Sequence, residues 1–371
     1  MNFEIFLLLL IVILFNNVVI NANTFINNHQ RFNDFIIKYE KTYENEAELY
    51  RRRQIFEANT MEIERLNAMS DGSKNGGPSF EINKFADLTK EEFKQFYLIE
   101  NNFLKQHLKS INNVRVNDDY NNNNKLKETS LPKEKNWYLK ATTPIRNQGQ
   151  CGSCWAFSCV EQVESDWFLS KGNTINTNNN TAVLELSTQQ VIDCDSSGAY
   201  GCGGAYSGGG SGYRFIEENG GLASEASYPY TSGKTGKEST CKKDIPNVGG
   251  KIKNFSFAIK PCVLPWDNCD NQDEDGVMQY IATKGPLAIC VNARQWIYYK
   301  SGIMSGTHCG GNDHGSLDHC VQLVGYNKNV DPAYWIVRNS WDTTWGNGGF
   351  MYLAMGNNTC GLADVPSFAI V

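Results

Sequence analysis

The stretch Gln148-Gly149-Gln150-Cys151-Gly152-Ser153-Cys154-Trp155-Ala156-Phe157-Ser158 constrains this chain more than any other. Val160, Val163 and Trp167 follow it at steps of three and four, an amphipathic helical period, and Gly172 stands where such a helix would close. The spacing therefore places Cys154 at a helix N-terminus. Free N–H groups and the positive end of the helix dipole favour a thiolate there, and the thiolate is the nucleophilic form. Gln148, six residues earlier, is positioned to donate its side-chain amide to a developing oxyanion. Cys151-x-x-Cys154 also leaves open a redox-active pair or a plain structural disulfide, although no βαβ context accompanies it.

The segment Cys151-Gly152-Ser153-Cys154-Trp155 resembles the nucleophile motif of the papain-like cysteine proteases, the family of papain and cathepsin L. The resemblance implies that Cys154 is the nucleophile and Gln148 an oxyanion donor. A second match lies far upstream. Glu48, Arg52, Ile55, Phe56, Asn59, Ile63 and Asn67 follow one another by steps of 4, 3, 1, 3, 4 and 4, which puts them on one face of one helix. Glu48 and Arg52 stand at salt-bridge spacing, and the two asparagines need polar partners if that face is buried. These seven residues fill the ERFNIN motif of cathepsin-L-type propeptides. Asn83, Phe85 and Asp87 resemble the family's Gly-x-Asn-x-Phe-x-Asp motif, with Glu81 where glycine is usual. The resemblance implies an inhibitory prosegment that runs through the cleft in the non-productive direction. Protonation of its carboxylates, Glu48 beside Arg52 included, is expected to loosen it in acid.

The other boundaries follow. Phe6 to Phe15 is nearly all apolar, too short to span a bilayer but suited to a signal-peptide core, with Ala22 as the cleavage point. Residues 1–22 are thus read as a signal peptide, 23–130 as propeptide and linker, and 131–371 as the peptidase, with no membrane span in the mature form. Twelve cysteines and sequons at Asn179, Asn254 and Asn357 suit a secretory route to the lysosome or the exterior. A formal charge of −6 gives no electrostatic case for nucleic acid. Residues 101 to about 130, with Asn121-Asn122-Asn123-Asn124, lose periodicity and read as a protease-accessible linker.

Within the peptidase, Ser187 is the expected N-cap of a second helix. Residues 286–291, 319–325 and 333–338 are apolar runs that read as buried strands. Helices early and strands late indicate an α+β chain, and the resemblance implies a two-lobed fold, a helical lobe against a β-barrel-like lobe. Spacing alone cannot choose a general base among His308, His314 and His319. Leu317-Asp318-His319-Cys320-Val321 matches the family's histidine strand and selects His319, which lies 165 residues after Cys154, beyond the family's roughly 130–150. An unusual stretch from about Lys260 to Asp275 contributes to that length, and its Cys262 and Cys269 most simply bridge each other. Tyr334 to Trp341 resembles the asparagine block, so Asn339 would orient the imidazole and Trp341 would shield it.

The resemblance further pairs Cys151 with Cys202, Cys194 with Cys241, and Cys309 with Cys360. It places Cys290, Leu317, Cys320 and Val365 around the pocket for the second residue before the cut, with Tyr206 added if the register of the glycine loop after Cys202 holds. Cys290 and Cys320 enter that pocket as thiols unless they oxidise together and narrow it. The implied activity is a monomeric endopeptidase acting on proteins and peptides through a thiolate–imidazolium pair and an acyl-enzyme. It needs no metal or organic cofactor and prefers Leu, Val or Phe over Arg in that pocket. A prosegment-bound binding protein and a thiol oxidoreductase are the rival classes.

Overall fold

The computed structural model describes residues 29–70, 76–99, 130–172, 182–205, 210–262, 269, 272–309 and 317–371. The apolar run before Ala22, the linker 101–129, Asn179, Tyr206, His314 and the loop 263–268 between Cys262 and Cys269 lie outside the described residues.

The prosegment comprises α1 (29–38), α2 (Glu46–Met69) and α3 (Lys90–Tyr97), with the two-residue strand β1 (Ser79–Phe80) between the last two. Asn45 caps α2 by accepting the Glu48 N–H, and Thr89 with Glu92 forms a reciprocal capping box on α3. The polar residues on the inward face of α2 have found their partners. Asn59 donates to the carbonyls of Ala86 and Leu88, and Asn67 donates to and accepts from the backbone of Phe80. Arg52 holds Glu48 at 2.6 Å and reaches Glu92 at 2.7 Å, which clasps α2 to α3.

The Arg51 and Arg52 guanidiniums hold the Glu48 carboxyl down to about 2. Its contribution is complete above the ordinary carboxylate range and disappears only as pH falls toward that value. Its share of the loosening begins just below the ordinary carboxylate range and is complete only near that value.

In the peptidase, β2 (Glu134–Asn136) leads to α4 (Cys154–Ser170), α5 (Thr188–Cys194), α6 (Gly210–Asn219) and the single turn α7 (Ser232–Thr235). Ser187 caps α5 through the Gln190 N–H. Then come β3 (Asn254–Phe257), α8 (Glu274–Thr283), β4 (Leu287–Val291), β5 (Tyr299–Ser301), β6 (Ile303–Met304), β7 (His319–Asn327), β8 (Tyr334–Arg338), β9 (Phe350–Ala354) and β10 (Ser367–Ile370). The eight-stranded sheet runs β3-β10-β4-β7-β8-β9-β6, with β2 added on β7. Its neighbours are antiparallel except β6 and β9. The prosegment joins the enzyme through β1, which pairs with β5.

The periodicity of α4 suggests one buried face, yet every residue from Cys154 to Ser165 is buried. The helix lies between the other helices and the sheet, so its polar residues face partners instead of water. Gln322 on β7 donates to the Glu161 carbonyl and to Ser165 Oγ, while Arg338 on β8 reaches Gln322 and Thr143. Arg338 also pairs with Glu161 at 3.2 Å, and Arg146 pairs with Glu164. Buried charges tolerate low dielectric only when paired and hydrogen-bonded.

Candidate active site

Cys154 is the first residue of α4, fully buried. Ser153, at the N-cap, makes no capping bond and instead contacts the Cys151 carbonyl and the Tyr230 hydroxyl. The first amides of the helix are thus left for the sulfur. The Cys320 N–H donates to Cys154 Sγ at 3.4 Å from across the cleft. His319 precedes Cys320 on β7, and its Nε2 is 2.7 Å from Asn339 Oδ1. Trp341 stacks on the imidazole with centroids 4.6 Å apart. Nδ1 of His319 is buried and has no hydrogen-bond partner.

Gln148 is clamped. Its Oε1 accepts from Ser340 Oγ at 2.8 Å and from the Trp341 indole N–H at 3.1 Å, which points the amide N–H groups toward the cleft. There Nε2 donates to the Cys151 carbonyl at 3.0 Å and to the prosegment's Tyr97 carbonyl at 3.2 Å. Two residues on, Ile99 N–H donates to the Asp318 carbonyl at 2.7 Å. Ile99 is fully buried in one apolar cluster with Cys154, Ala205, Cys290, Leu317, Cys320 and Val365. Gly204, at φ +106°, admits it, because a Cβ there would lie 2.8 Å from the Ile99 side chain.

The rest of the prosegment contact follows the Asn83-x-Phe85-x-Asp87 motif. Asn83 donates to the Ile297 carbonyl and Phe85 abuts Trp341. Asp87 binds Lys41 and Tyr43 within the prosegment. Glu81, where glycine was expected, extends the β1 contact by donating its N–H to Tyr298 and pairing with Lys300 at 3.0 Å.

This enclosure alters the expected electrostatics. Burial pushes the Cys154 thiol up to about 12, against the opposing pull of the Cys320, Trp155 and Cys154 N–H groups. Burial also pushes His319 down to about 4, against its bond to Asn339. Both shifts, upward for the thiol and downward for the imidazole, oppose the ion pair while the two groups are buried.

The cysteines divide clearly. Bonds join Cys151 to Cys202, Cys194 to Cys241, Cys262 to Cys269 and Cys309 to Cys360. Cys151 is thus committed elsewhere and Cys154 is a free thiol. A fifth bond joins Cys290 to Cys320, so the two thiols expected in the apolar pocket are a cystine. Asp318 turns away from that pocket, accepting from the Ala293 N–H and from Arg294. Trp341 lies outside the Ile99 cluster, over His319 and under the prosegment rings Phe85, Phe93 and Tyr97. Of the sequons, Asn357 is exposed and Asn254 is half-buried on β3. His308 contacts Ser305, and among the described residues no three His, Cys, Asp or Glu side chains converge as metal ligands.

Ser340 and Tyr230 were not singled out by the sequence as parts of the site. Ser340 directly follows Asn339, but nothing in one dimension shows that its hydroxyl meets Gln148. Tyr230 lies 82 residues beyond Gln148, yet its hydroxyl donates to the Gln148 carbonyl as well as meeting Ser153.

A helix-borne cysteine, a histidine–asparagine pair across the cleft and a prosegment laid over both define a cysteine peptidase in its zymogen form. The chain belongs to the papain family of cysteine proteases, whose model matches residues 131–370, and residues 32–93 match the cathepsin propeptide inhibitor domain. It is 34% identical to cysteine proteinase 1 of Dictyostelium discoideum, covering 98% of this chain and 99% of that one. It is 32% identical to the thiol protease aleurain of Arabidopsis thaliana, over 92% of this chain and 84% of the relative. Among solved structures, digestive procathepsin L2 proteinase of Tenebrio molitor superposes with a TM-score of 0.74 at 27% identity, covering 93% of this chain and 100% of that one. The stem bromelain precursor superposes at 0.71 and 29% identity, covering 93% of this chain and 99% of that one.

Proposed function

We propose that this chain is a cysteine endopeptidase made as a secretory zymogen, with Cys154 as nucleophile, His319 as general base and acid, Asn339 as its orienter and Gln148 as oxyanion donor. The observation that carries the reading is the position of the Tyr97 carbonyl, a peptide oxygen held by the Gln148 amide beside Cys154. A substrate carbonyl offered to the same donor would present its carbon to the sulfur. Departure of the prosegment readmits water and relieves the desolvation that opposes the ion pair. The Cys154 proton then passes to the unoccupied Nδ1 of His319, and the bond to Asn339 favours the resulting imidazolium. The thiolate attacks the peptide carbonyl, Gln148 and the Cys154 N–H hold the oxyanion, and His319 gives its proton to the leaving amine. His319 next takes a proton from water, which attacks the thioester and releases the acid product.

The cluster around Ile99 is the pocket for the second residue before the cut. It is apolar and Asp318 is turned out of it, so Leu, Val or Phe is preferred over Arg. Burial of one methylene is worth about 0.8 kcal/mol, which supports a Leu-over-Ala ratio of roughly ten- to two-hundredfold. With that pocket assigned, the prosegment runs from Gln148 and Trp341 toward it in the N-to-C direction, whereas a cleavable chain runs the opposite way. The five disulfides among the described residues favour an oxidising, secretory route to the lysosome or exterior. Signal cleavage after Ala22, processing between about 101 and 132, a monomeric mature enzyme and glycosylation at Asn179, Asn254 or Asn357 complete the proposal.

Cys154→Ser tests it. The variant should fold and bind peptide but show no turnover after acid treatment, while the parent enzyme cleaves. Activity near that of the parent would refute the assignment of the nucleophile.

A further inference from the structure

Cys290 and Cys320 stand directly opposite each other on β4 and β7. Adjacent antiparallel strands are already held by their hydrogen-bond ladder, so a bond between them adds little to the topology. Its location is more informative. Both residues are buried in the cluster that contains Cys154, Leu317, Val365 and the prosegment's Ile99. Cys320 also follows the base and supplies the N–H that meets Cys154 Sγ. The cystine therefore helps to wall the apolar cluster that Ile99 enters, where the Ile99 N–H is held by the Asp318 carbonyl two residues before Cys320. When the prosegment leaves, Ile99 goes with it, and that wall faces the open cleft.

We infer that the Cys290–Cys320 disulfide is a reducible wall of the apolar side-chain pocket, opened to reductant by zymogen activation, and that its redox state sets how large a side chain the pocket accepts. This rests on the reading of Cys154 as a peptidase nucleophile beside that pocket. The bonded pair is one rigid body pinned at both strands. Two thiols are separate rotors, each free to choose its own χ1 well and give way to a larger guest. Close-packed walls discriminate at the level of a single methylene, so this difference is large enough to alter selection. The oxidised pocket favours an aliphatic residue of the size of Ile99, and the reduced pocket takes an aromatic ring more readily. With a trialkylphosphine as reductant the step balances. Phosphorus gives its electron pair to the disulfide, the S–S bond breaks, water supplies two protons to the sulfurs and its oxygen to phosphorus, and the phosphine leaves as its oxide.

The test uses the full chain and the mature enzyme made from it by acid processing. Each is incubated with and without the phosphine, and Cys290 and Cys320 are mapped by alkylation and peptide mass. The kcat/KM of peptides with Val, Leu or Phe at the second position is then measured per titratable Cys154. Both thiols should become labelled in the mature enzyme and stay protected in the zymogen. The Phe-to-Val ratio should rise about tenfold on reduction, and the C290A/C320A double variant should show the raised ratio without reductant. A ratio that stays constant while mapping shows both thiols freed would overturn the inference, as would a cystine that resists the phosphine in the mature enzyme. The reduced parent enzyme carries the test alone if the double variant does not fold. Failure of titrated enzyme to cleave any peptide would refute the peptidase reading instead.

Discussion

Truncating Phe85 to Ala should loosen the prosegment from the active site by a calculable amount. Phe85 is fully buried and packs edge-on against Tyr97 at 4.7 Å, Phe93 at 5.2 Å and Trp341 at 5.6 Å. Removing a buried phenyl ring costs about 3–5 kcal/mol. Two of its three ring neighbours belong to the prosegment itself and one to the enzyme, so roughly a third to a half of the loss falls on docking. That is about 1–2.5 kcal/mol, and about 1.4 kcal/mol corresponds to tenfold. The transiently open zymogen should thus be roughly five- to sixtyfold more populated. The assay is the rate at which an active-site-directed peptidyl epoxide labels Cys154 in the uncleaved chain at neutral pH, with the precursor checked for integrity on a gel. A change of less than about threefold would show that this ring does not hold the cover in place.

Acid should open the zymogen through His319. Burial lowers this histidine to about 4 in the covered state, so the covered state binds fewer protons than an open state in which the imidazole meets water. Stability of the cover is therefore lost as pH falls below the ordinary histidine value of about 6.5 and levels off below about 4, by up to tenfold per pH unit. In a Cys154→Ala zymogen, hydrogen exchange of the Ile99 amide, corrected for its intrinsic pH dependence, should follow that slope; a flat profile would rule His319 out. Arg338→Met should strand Glu161, which burial already raises to about 7. Loss of one partner of a buried pair costs about 3–5 kcal/mol, so the melting temperature of the mature enzyme should drop by roughly 6–20 °C. A shift under about 2 °C would mean that the pair is not what joins α4 to the sheet.

Local rules carried much of this structure. The period after Cys154, the N-cap at Ser187, the one-sided face of α2 and the apolar runs that became β4, β7 and β8 depend on interactions within a few residues, which sequence displays directly. Cys154, His319, Asn339 and Gln148 could be named because each sits in an ordered motif. What brings those motifs together was not visible, since Gln148 meets Ser340, Trp341, Tyr230 and Tyr97 across separations that no periodicity records. The burial of Cys154 and His319 was hidden for the same reason. A helix N-terminus favours the thiolate, but desolvation by burial opposes it. The state of Cys290 and Cys320 likewise depended on register. Either cysteine alone reads as a small apolar wall residue, and only the pairing of β4 with β7 sets them face to face. Propensity and pattern act along the chain, whereas burial, charge state and disulfide partner are properties of neighbours that the chain acquires only on folding.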